Sequence, residues 1–464
     1  AAQRTRRSEE ELRRTTPADG LVAGLGTINA DHFGPQRASA MIVSYDYTVL
    51  AGTQGTMNHK KQDRIYQLAA ELRRPLVLFA EGGGGRPGDT DKEHLAVASL
   101  DTTTFNLFAK LSGLIPLVGV VHGRCFAGNA ALLGCCDVII ATEATTLGMG
   151  GPAMIEGGGL GVYTAEEVGP VGVMAPNGVI DILVRDEAEA VAAAKKYLSF
   201  FQGPLPSWTC ADQRALRRLI PENRLRAYDV RPVIHALADT DGVLELRPSF
   251  GLGMITALIR IEGRPMGLIA NNPMHLGGAI DADAADKAAR FLQLCDAHDL
   301  PVLSLIDTPG FMVGPEAEKA AQVRRVCRMF VGGANLDVPI FAVALRKGYG
   351  LGALAMVGGN FHASVFTVSW PTGEFGGMGF EGAVRLAYRK ELEAIADPAE
   401  RDAEFRRKVD AMYRRGKAIS MAGMLEIDDV IDPADTRSWL LRGLDTVLPP
   451  PARQGKKRNF IDTW

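Results

Sequence analysis

The sequence lacks a run of roughly 18 apolar residues free of charge, so it offers no membrane-spanning helix. Cysteine is scarce. The six present are Cys125, Cys135, Cys136, Cys210, Cys295 and Cys327, and none forms a CxxC pair, so zinc-ribbon spacing is absent. Their apolar surroundings suit reduced, buried thiols in a cytosol-like compartment. The eight histidines are scattered, with no HExxH and no triad grouping, so no metal site is expected and each His reads as structural. A net charge of −3 gives no field for nucleic acid. The basic run Arg453 to Arg458 is short and reads as a solvated tail. The N-terminus, Ala1-Ala2-Gln3-Arg4-Thr5, has no apolar signal core and no initiator Met, which suggests a chain processed, tagged or cut from something longer. Gly82-Gly83-Gly84-Gly85-Arg86 lacks the GxxxxGK[ST] order, and no GxGxxG opens a helix after the first strand. No ATP or dinucleotide role is read from it. It reads as a cleft lining, with Arg86 available to an anionic ligand.

What is abundant is glycine, 52 residues of it, in clusters. Residues 64–83 read as an amphipathic helix, a Pro, a buried strand and a Gly turn. Residues 290–310 repeat that order at an offset of roughly 226 residues, a domain-scale duplication rather than a solenoid period. The correspondence continues. Leu117 to Gly123 matches Phe341 to Gly348, and Asp137 to Ala141 matches Ala363 to Val368. The Gly turn at 148–152 matches the one at 376–379. Repeated strand–helix–strand order predicts α/β units. The expected division is an N domain at 1–205, a Pro- and Arg-rich linker at 206–228 and a C domain at 229–464.

Two strand-to-helix turns carry the chemistry. In His122-Gly123-Arg124-Cys125-Phe126-Ala127-Gly128-Asn129 a strand ends and a helix begins on small residues. The first N–H groups of a helix have no internal partner. Small side chains let a ligand approach them. If the ligand is an enolate or a thioester oxyanion, the turn is an oxyanion hole, in which one donor is worth roughly 2.7–4 kcal/mol. The second copy, Lys347-Gly348-Tyr349-Gly350-Leu351-Gly352-Ala353, has the same form. Tight helix–strand packing also wants small residues, so one turn alone decides little; two in repeated domains favour a reaction with two oxyanions. Glu81, Glu156, Asp307, Glu374 and Glu381 lie beside Gly-rich turns and are candidate bases, or equally caps and ion pairs.

These residues resemble the carboxyltransferase component of biotin-dependent acyl-CoA carboxylases, from about Gly20 to about Leu448. The segments that carry the resemblance are Ala270-Asn271-Asn272-Pro273, Asp281 to Phe291, Asp307-Thr308-Pro309-Gly310-Phe311, Arg346-Lys347-Gly348-Tyr349-Gly350, Trp370-Pro371-Thr372-Gly373-Glu374 and Met378 to Val384. Pro176 to Leu183 looks most like the carboxyltransferase region of large, fused, single-chain acyl-CoA carboxylases. The resemblance implies tandem crotonase-like (ClpP/crotonase) α/β domains. It implies acyl-CoA on the N domain and biotin against the C domain of a partner subunit. It also implies CO2 transfer from carboxybiotin to the α-carbon of the acyl-CoA through an enolate. By position, the Ala127 and Gly128 amides would hold the thioester oxygen, and the Leu351 and Gly352 amides the ureido oxygen of biotin. The expected substrate-binding residues are Gly83, Gly84, Arg86, Gly150, Gly151, Pro152, Pro309, Gly310, Phe311, Tyr349, Leu354, Gly376 and Gly377. Leu354 matches an acyl-selectivity position.

The sequence departs from the family pattern where Ala127-Gly128 replaces Gly-Gly and Leu351-Gly352 replaces Gly-Ala; a leucine there reshapes the biotin side. No Met-Lys-Met biotinylation segment and no ATP loop are present. The biotin carboxyl carrier and biotin carboxylase are therefore expected on other domains or subunits. The resemblance further implies a cytoplasmic homohexamer, a trimer of dimers. Three other readings remain: a biotin-dependent acyl-CoA decarboxylase subunit, a crotonase-type hydratase or isomerase (for which one domain would suffice), and a non-catalytic acyl-CoA-binding scaffold.

Overall fold

The computed structural model describes residues 1–92, 100–451 and 453–464. The chain divides into two compact units. One comprises residues 1–205, 246–250 and 453–463; the other comprises 206–245, 251–451 and 464.

The first unit is built on a six-stranded sheet. Its strands in spatial order are Leu21–Thr27, Ser39–Tyr45, Leu76–Phe79, Leu117–Val121, Val138–Thr142 and Ile182–Val184. The first two pair antiparallel, Leu21 opposite Tyr45, and every later pair is parallel. Leu117–Val121 and Val138–Thr142 are buried along their whole length. That is why they read as unbroken apolar runs rather than alternating ones. The helix Thr56–Leu72 buries Asn58, Gln62, Tyr66 and Ala69, one stripe at helical spacing. Gln62 is the hub of its polar contacts, donating to Asn58 Oδ1. Tyr45 and Tyr66 each donate to Gln62 Oε1 at 2.9 Å.

The second unit repeats this topology. A hairpin, Met254–Ile261 with Arg264–Asn271, turns at Glu262-Gly263, both with positive φ, as a tight two-residue hairpin turn requires. Parallel strands Val302–Thr308, Ile340–Tyr349, Phe366–Ser369 and Asp429–Val430 follow in the same spatial order as their counterparts. The helix Ala282–Ala297, capped by Asp281 accepting from the Ala284 N–H, takes the place of Thr56–Leu72. Its core gathers Leu258-neighbouring strand residues such as Ile259, Leu268, Leu303, Val343 and Trp370.

Two expectations are corrected. Residues 206–228 are not a bare linker. Gln213–Arg218 forms a 3-10 helix, and Leu216, 1% exposed, joins the core of the second unit with Val230, Val233 and Leu237. The Arg and Pro content that suggested a linker sits on the outer face of this strap. The basic tail is not free either. Lys456 Nζ donates to the Ser112 carbonyl at 2.7 Å, Ser112 receives the Ile461 N–H at 3.0 Å, and Ile461 is buried. Its apolar end outweighs its charge. If the strap is part of the fold, Leu216→Ala should cost about 2–5 kcal/mol of unfolding free energy in a urea titration. A loss near zero would return the segment to linker status.

Candidate functional site

In the first unit, strand Arg124–Phe126 leads through Ala127 into the short helix Gly128–Gly134. Ala127 is held at φ 52°, ψ −122°, a region that L residues rarely adopt. Its N–H donates to the Gly148 carbonyl at 3.1 Å. The Ala127 amide, expected as an oxyanion donor, is therefore already engaged, and Gly128 is the amide this turn presents. The Gly82–Arg86 loop packs directly on it. A Cβ on Gly84 would lie 2.5 Å from the Ala127 Cβ, so only glycine fits. Gly84 N–H donates to Asn129 Oδ1 at 3.0 Å, and the wholly buried Asn129 returns its amide to the Gly52 carbonyl at 3.3 Å. Gly83 N–H is taken by the Ala51 carbonyl at 3.1 Å. The Phe126 ring lies beneath Gly151, which precedes the helix Pro152–Gly157, and thereby brings the 148–152 turn to the same place.

Arg86 is corrected. Its side chain is 3% exposed and pairs with Asp19 at 2.5 Å, with a further bond to the Thr53 carbonyl at 2.8 Å. It clamps the loop and has no fork left for an anion. Asp19 balances its charge, so the position is a buried ion pair rather than a ligand site.

In the second unit, Tyr349 ends the long strand and Gly350, at φ 59°, turns the chain into the helix Gly350–Ala355. The Leu351 and Gly352 N–H groups have no partner within this helix. A Cβ on Gly352 would come within 2.7 Å of Gly310 Cα, so the Pro309-Gly310-Phe311 segment packs under the turn instead of lining an opening. Tyr349 is 3% exposed and donates to Glu374 Oε2 at 3.0 Å. It lies behind the turn and is not among the residues lining the cavity that opens there.

A cavity of about 600 Å³ opens at this turn. Four expected residues line it, Leu351, Leu354, Gly376 and Gly377, together with Phe375, Phe380, Met412 and Met421. Sequence reading passed over Phe375 and Phe380, which flank the glycine turn, and missed Met412 and Met421 because they lie further along the chain in no glycine motif. A larger cavity in the first unit, about 850 Å³, is lined by Glu81, His122, Tyr47 and Glu187 but by none of Gly83, Gly84, Ala127 or Gly128.

The acidic candidates are accounted for one by one. Glu81 Oε1 accepts the His122 N–H at 2.5 Å, and burial pushes its carboxyl up from the ordinary value. Glu156 is exposed. Glu381 accepts from Tyr413 Oη at 3.0 Å. Glu374 is held by Tyr349, and burial raises it as well. Asp307, fully buried, accepts from Tyr228 Oη at 2.8 Å and Arg346 Nε at 3.1 Å, and pairs with Lys347 Nζ at 2.6 Å. Burial lowers Lys347 from its usual range, and the Asp307 charge works against that. None of these five candidates stands unengaged at the second turn, although exposed Glu426 and Arg415 also line its cavity, and the described residues hold no cluster of His, Cys, Asp and Glu fit for a metal ion. Their helices include none long and apolar enough to cross a membrane.

A duplicated α/β unit with paired glycine turns at strand ends defines a tandem crotonase-like protein. The carboxyl transferase domain family matches residues 1–458, and the chain belongs to that family. The methylmalonyl-CoA carboxyltransferase 12S subunit of Propionibacterium freudenreichii subsp. shermanii is 32% identical over 92% of this chain and 81% of that subunit. A solved transcarboxylase 12S hexamer with methylmalonyl-CoA bound superposes with TM-score 0.82 at 30% identity, over 96% of this chain and 85% of that one. A single-chain, multi-domain long-chain acyl-CoA carboxylase superposes with TM-score 0.90 at 62% identity, over 95% of this chain. The chain spans 43% of that carboxylase's length.

Asp307→Ala would leave Arg346 and Lys347 without their carboxylate. It should cost about 3–5 kcal/mol in chemical denaturation, as breaking a buried ion pair does. A cost below about 1 kcal/mol would contradict the hub role assigned to this carboxylate.

Proposed function

We propose that the chain moves a carboxyl group from carboxybiotin, presented on a carrier domain or subunit, to the α-carbon of an acyl-CoA. The observation that carries this reading is the second turn: two helix-start amides beside a mostly apolar cavity, with Glu374, Asp307 and Lys347 already engaged. A proton must leave the acyl-CoA, and none of these three is free to take it; the exposed Glu426 is the one acid lining the cavity among the described residues. When bound, biotin supplies both the CO2 and the ureido nitrogen that accepts the α-proton. The chain's own residues do the rest. Gly128 N–H faces the thioester oxygen of the acyl-CoA, where charge grows as the α C–H bond breaks. Leu351 and Gly352 N–H face the ureido oxygen. Preorganised donors in a dry site stabilise developing charge without reorganisation. With biotin bound, its ureido nitrogen would take the α-proton, and the electron pair left at the α-carbon would form the C–C bond to CO2.

Leu351, Leu354 and Phe375 give the cavity apolar walls that suit an alkyl chain. The likeness to a long-chain acyl-CoA carboxylase supports a long-chain substrate. The 12S hexamer supports a homohexamer, a trimer of dimers, as the working assembly. The biotin carboxylase and carrier are expected as partners, and the free cysteines, three of the six buried, agree with a cytoplasmic setting.

Purified protein should carboxylate free biotin from malonyl-CoA, and from longer α-carboxyacyl-CoAs with higher kcat/KM. Gly352→Ala, whose Cβ meets Gly310 backbone, should lower transfer at least about a hundredfold with acyl-CoA binding retained. Intact protein that binds acyl-CoA and transfers nothing at any chain length would replace this reading with that of a scaffold.

A further inference from the structure

The second turn stays joined to the main sheet on one side, where Gly348 pairs with Thr308, but leaves it on the other. Pairing between Ile340–Tyr349 and Phe366–Ser369 ends at Ala344 opposite Ser369. The last residues before the turn, Lys347, Gly348 and Tyr349, pair instead with Glu374, Phe375 and Gly376. Tyr349 stands opposite Gly376, which has no side chain. Its ring therefore runs along the ladder, and its Oη reaches the diagonal neighbour Glu374 at 3.0 Å. Phe380 packs on the ring at 5.3 Å between centroids. Neither Tyr349 nor Glu374 lines the cavity, whereas Gly350 and Leu351 do.

The groups around Glu374 are otherwise committed. Arg346 and Lys347 are bound to Asp307, and Arg224 stacks on Tyr413 beside Glu381. Lys417 meets Glu374 through the backbone, as an isolated strand bridge. Among the described residues, Glu374 makes no ion pair, and Tyr349 is its side-chain hydrogen-bond partner. Gly350, immediately after Tyr349, has left-handed φ and no Cβ, so its own conformation restrains the following peptides least of any residue. What sets the direction of the Leu351 and Gly352 N–H groups is the anchorage of the residue before it.

We propose that the Tyr349–Glu374 hydrogen bond is a positioning device that fixes the Leu351 and Gly352 amides, so that Tyr349 acts on catalysis through the backbone without touching substrate. This rests on reading the turn as the biotin-side oxyanion hole. A donor that matters chiefly in the transition state shows its loss in kcat, not in the KM of the acyl-CoA.

The test uses the full chain with Tyr349→Phe, Glu374→Ala and Glu374→Gln. Carboxyl transfer from malonyl-CoA to free biotin is read together with hydrogen–deuterium exchange of the peptide spanning 350–356. Tyr349→Phe and Glu374→Ala should each lower kcat about tenfold with KM for malonyl-CoA within about twofold. Both should also speed amide exchange at the turn. Glu374→Gln keeps a carbonyl acceptor for the hydroxyl and should recover most of both. An active wild type with unchanged kcat and exchange in Tyr349→Phe overturns the positioning role and leaves the reading of the turn intact. Equal losses in all three variants, accompanied by a lower melting temperature, make the pair merely structural and overturn the proposal too. A wild type that transfers nothing overturns the reading of the turn, and amide exchange alone then decides whether the pair fixes it.

Discussion

Asp307 lies at the end of a central strand with none of its surface exposed. A carboxylate taken out of water is costly unless donors surround it. Here Tyr228, Arg346 and Lys347 do so, and Lys347 adds its backbone N–H at 3.2 Å. The bonds join two neighbouring strands where their pairing is irregular, between Ile306 and Thr308. Beyond that point Thr308 Oγ1 accepts the Gly310 N–H at 3.1 Å, and Gly310 supports Gly352. The same carboxylate thus immobilises the strand that enters the turn and the loop beneath it. It also holds Lys347 and Arg346 away from the cavity, whose charged lining residues are instead Arg415 and Glu426.

The first unit reaches an equivalent turn with a neutral device. Asn129 replaces the ionic hub, tying the Gly84 N–H to the helix start. The backbone stores more tension here. Ala127 at φ 52°, ψ −122° costs about 1–3 kcal/mol, held by its N–H bond to Gly148 and by the glycine at 84 that leaves room for its methyl. The duplicated topology leaves each half free to solve the same local problem with different side chains.

Much of this was legible in the sequence because it is local. The duplication, the strand-to-helix turns and the buried parallel strands all appear as short-range patterns of glycine and apolar residues. Leu351, Leu354, Gly376 and Gly377, singled out through the family resemblance, line one cavity. The failures share one cause, which is partners far away in sequence. Arg86 reads as a free anion binder until Asp19 occupies it, 67 residues earlier. Ala127 reads as a free donor until Gly148 accepts its proton. Tyr349 reads as a ligand contact until Glu374 turns it inward. The strap at 206–228 reads as a linker because its buried core residues, Leu216 and Tyr228, are outnumbered by exposed arginines. Composition counts residues, but burial is decided by the few that pack.

The central claim is that the chain supplies the oxyanion donors while biotin, and not a side chain such as Glu426, takes the proton, so the acyl-CoA α-proton leaves only when biotin is present. The most direct measurement is α-proton exchange in D2O, using protein already shown to transfer carboxyl groups, with the acyl-CoA followed by mass spectrometry. The account predicts solvent-background deuterium at the α-carbon without biotin and enzyme-dependent incorporation with it. Rapid, enzyme-dependent incorporation in the complete absence of biotin would reveal a side-chain base and contradict the account.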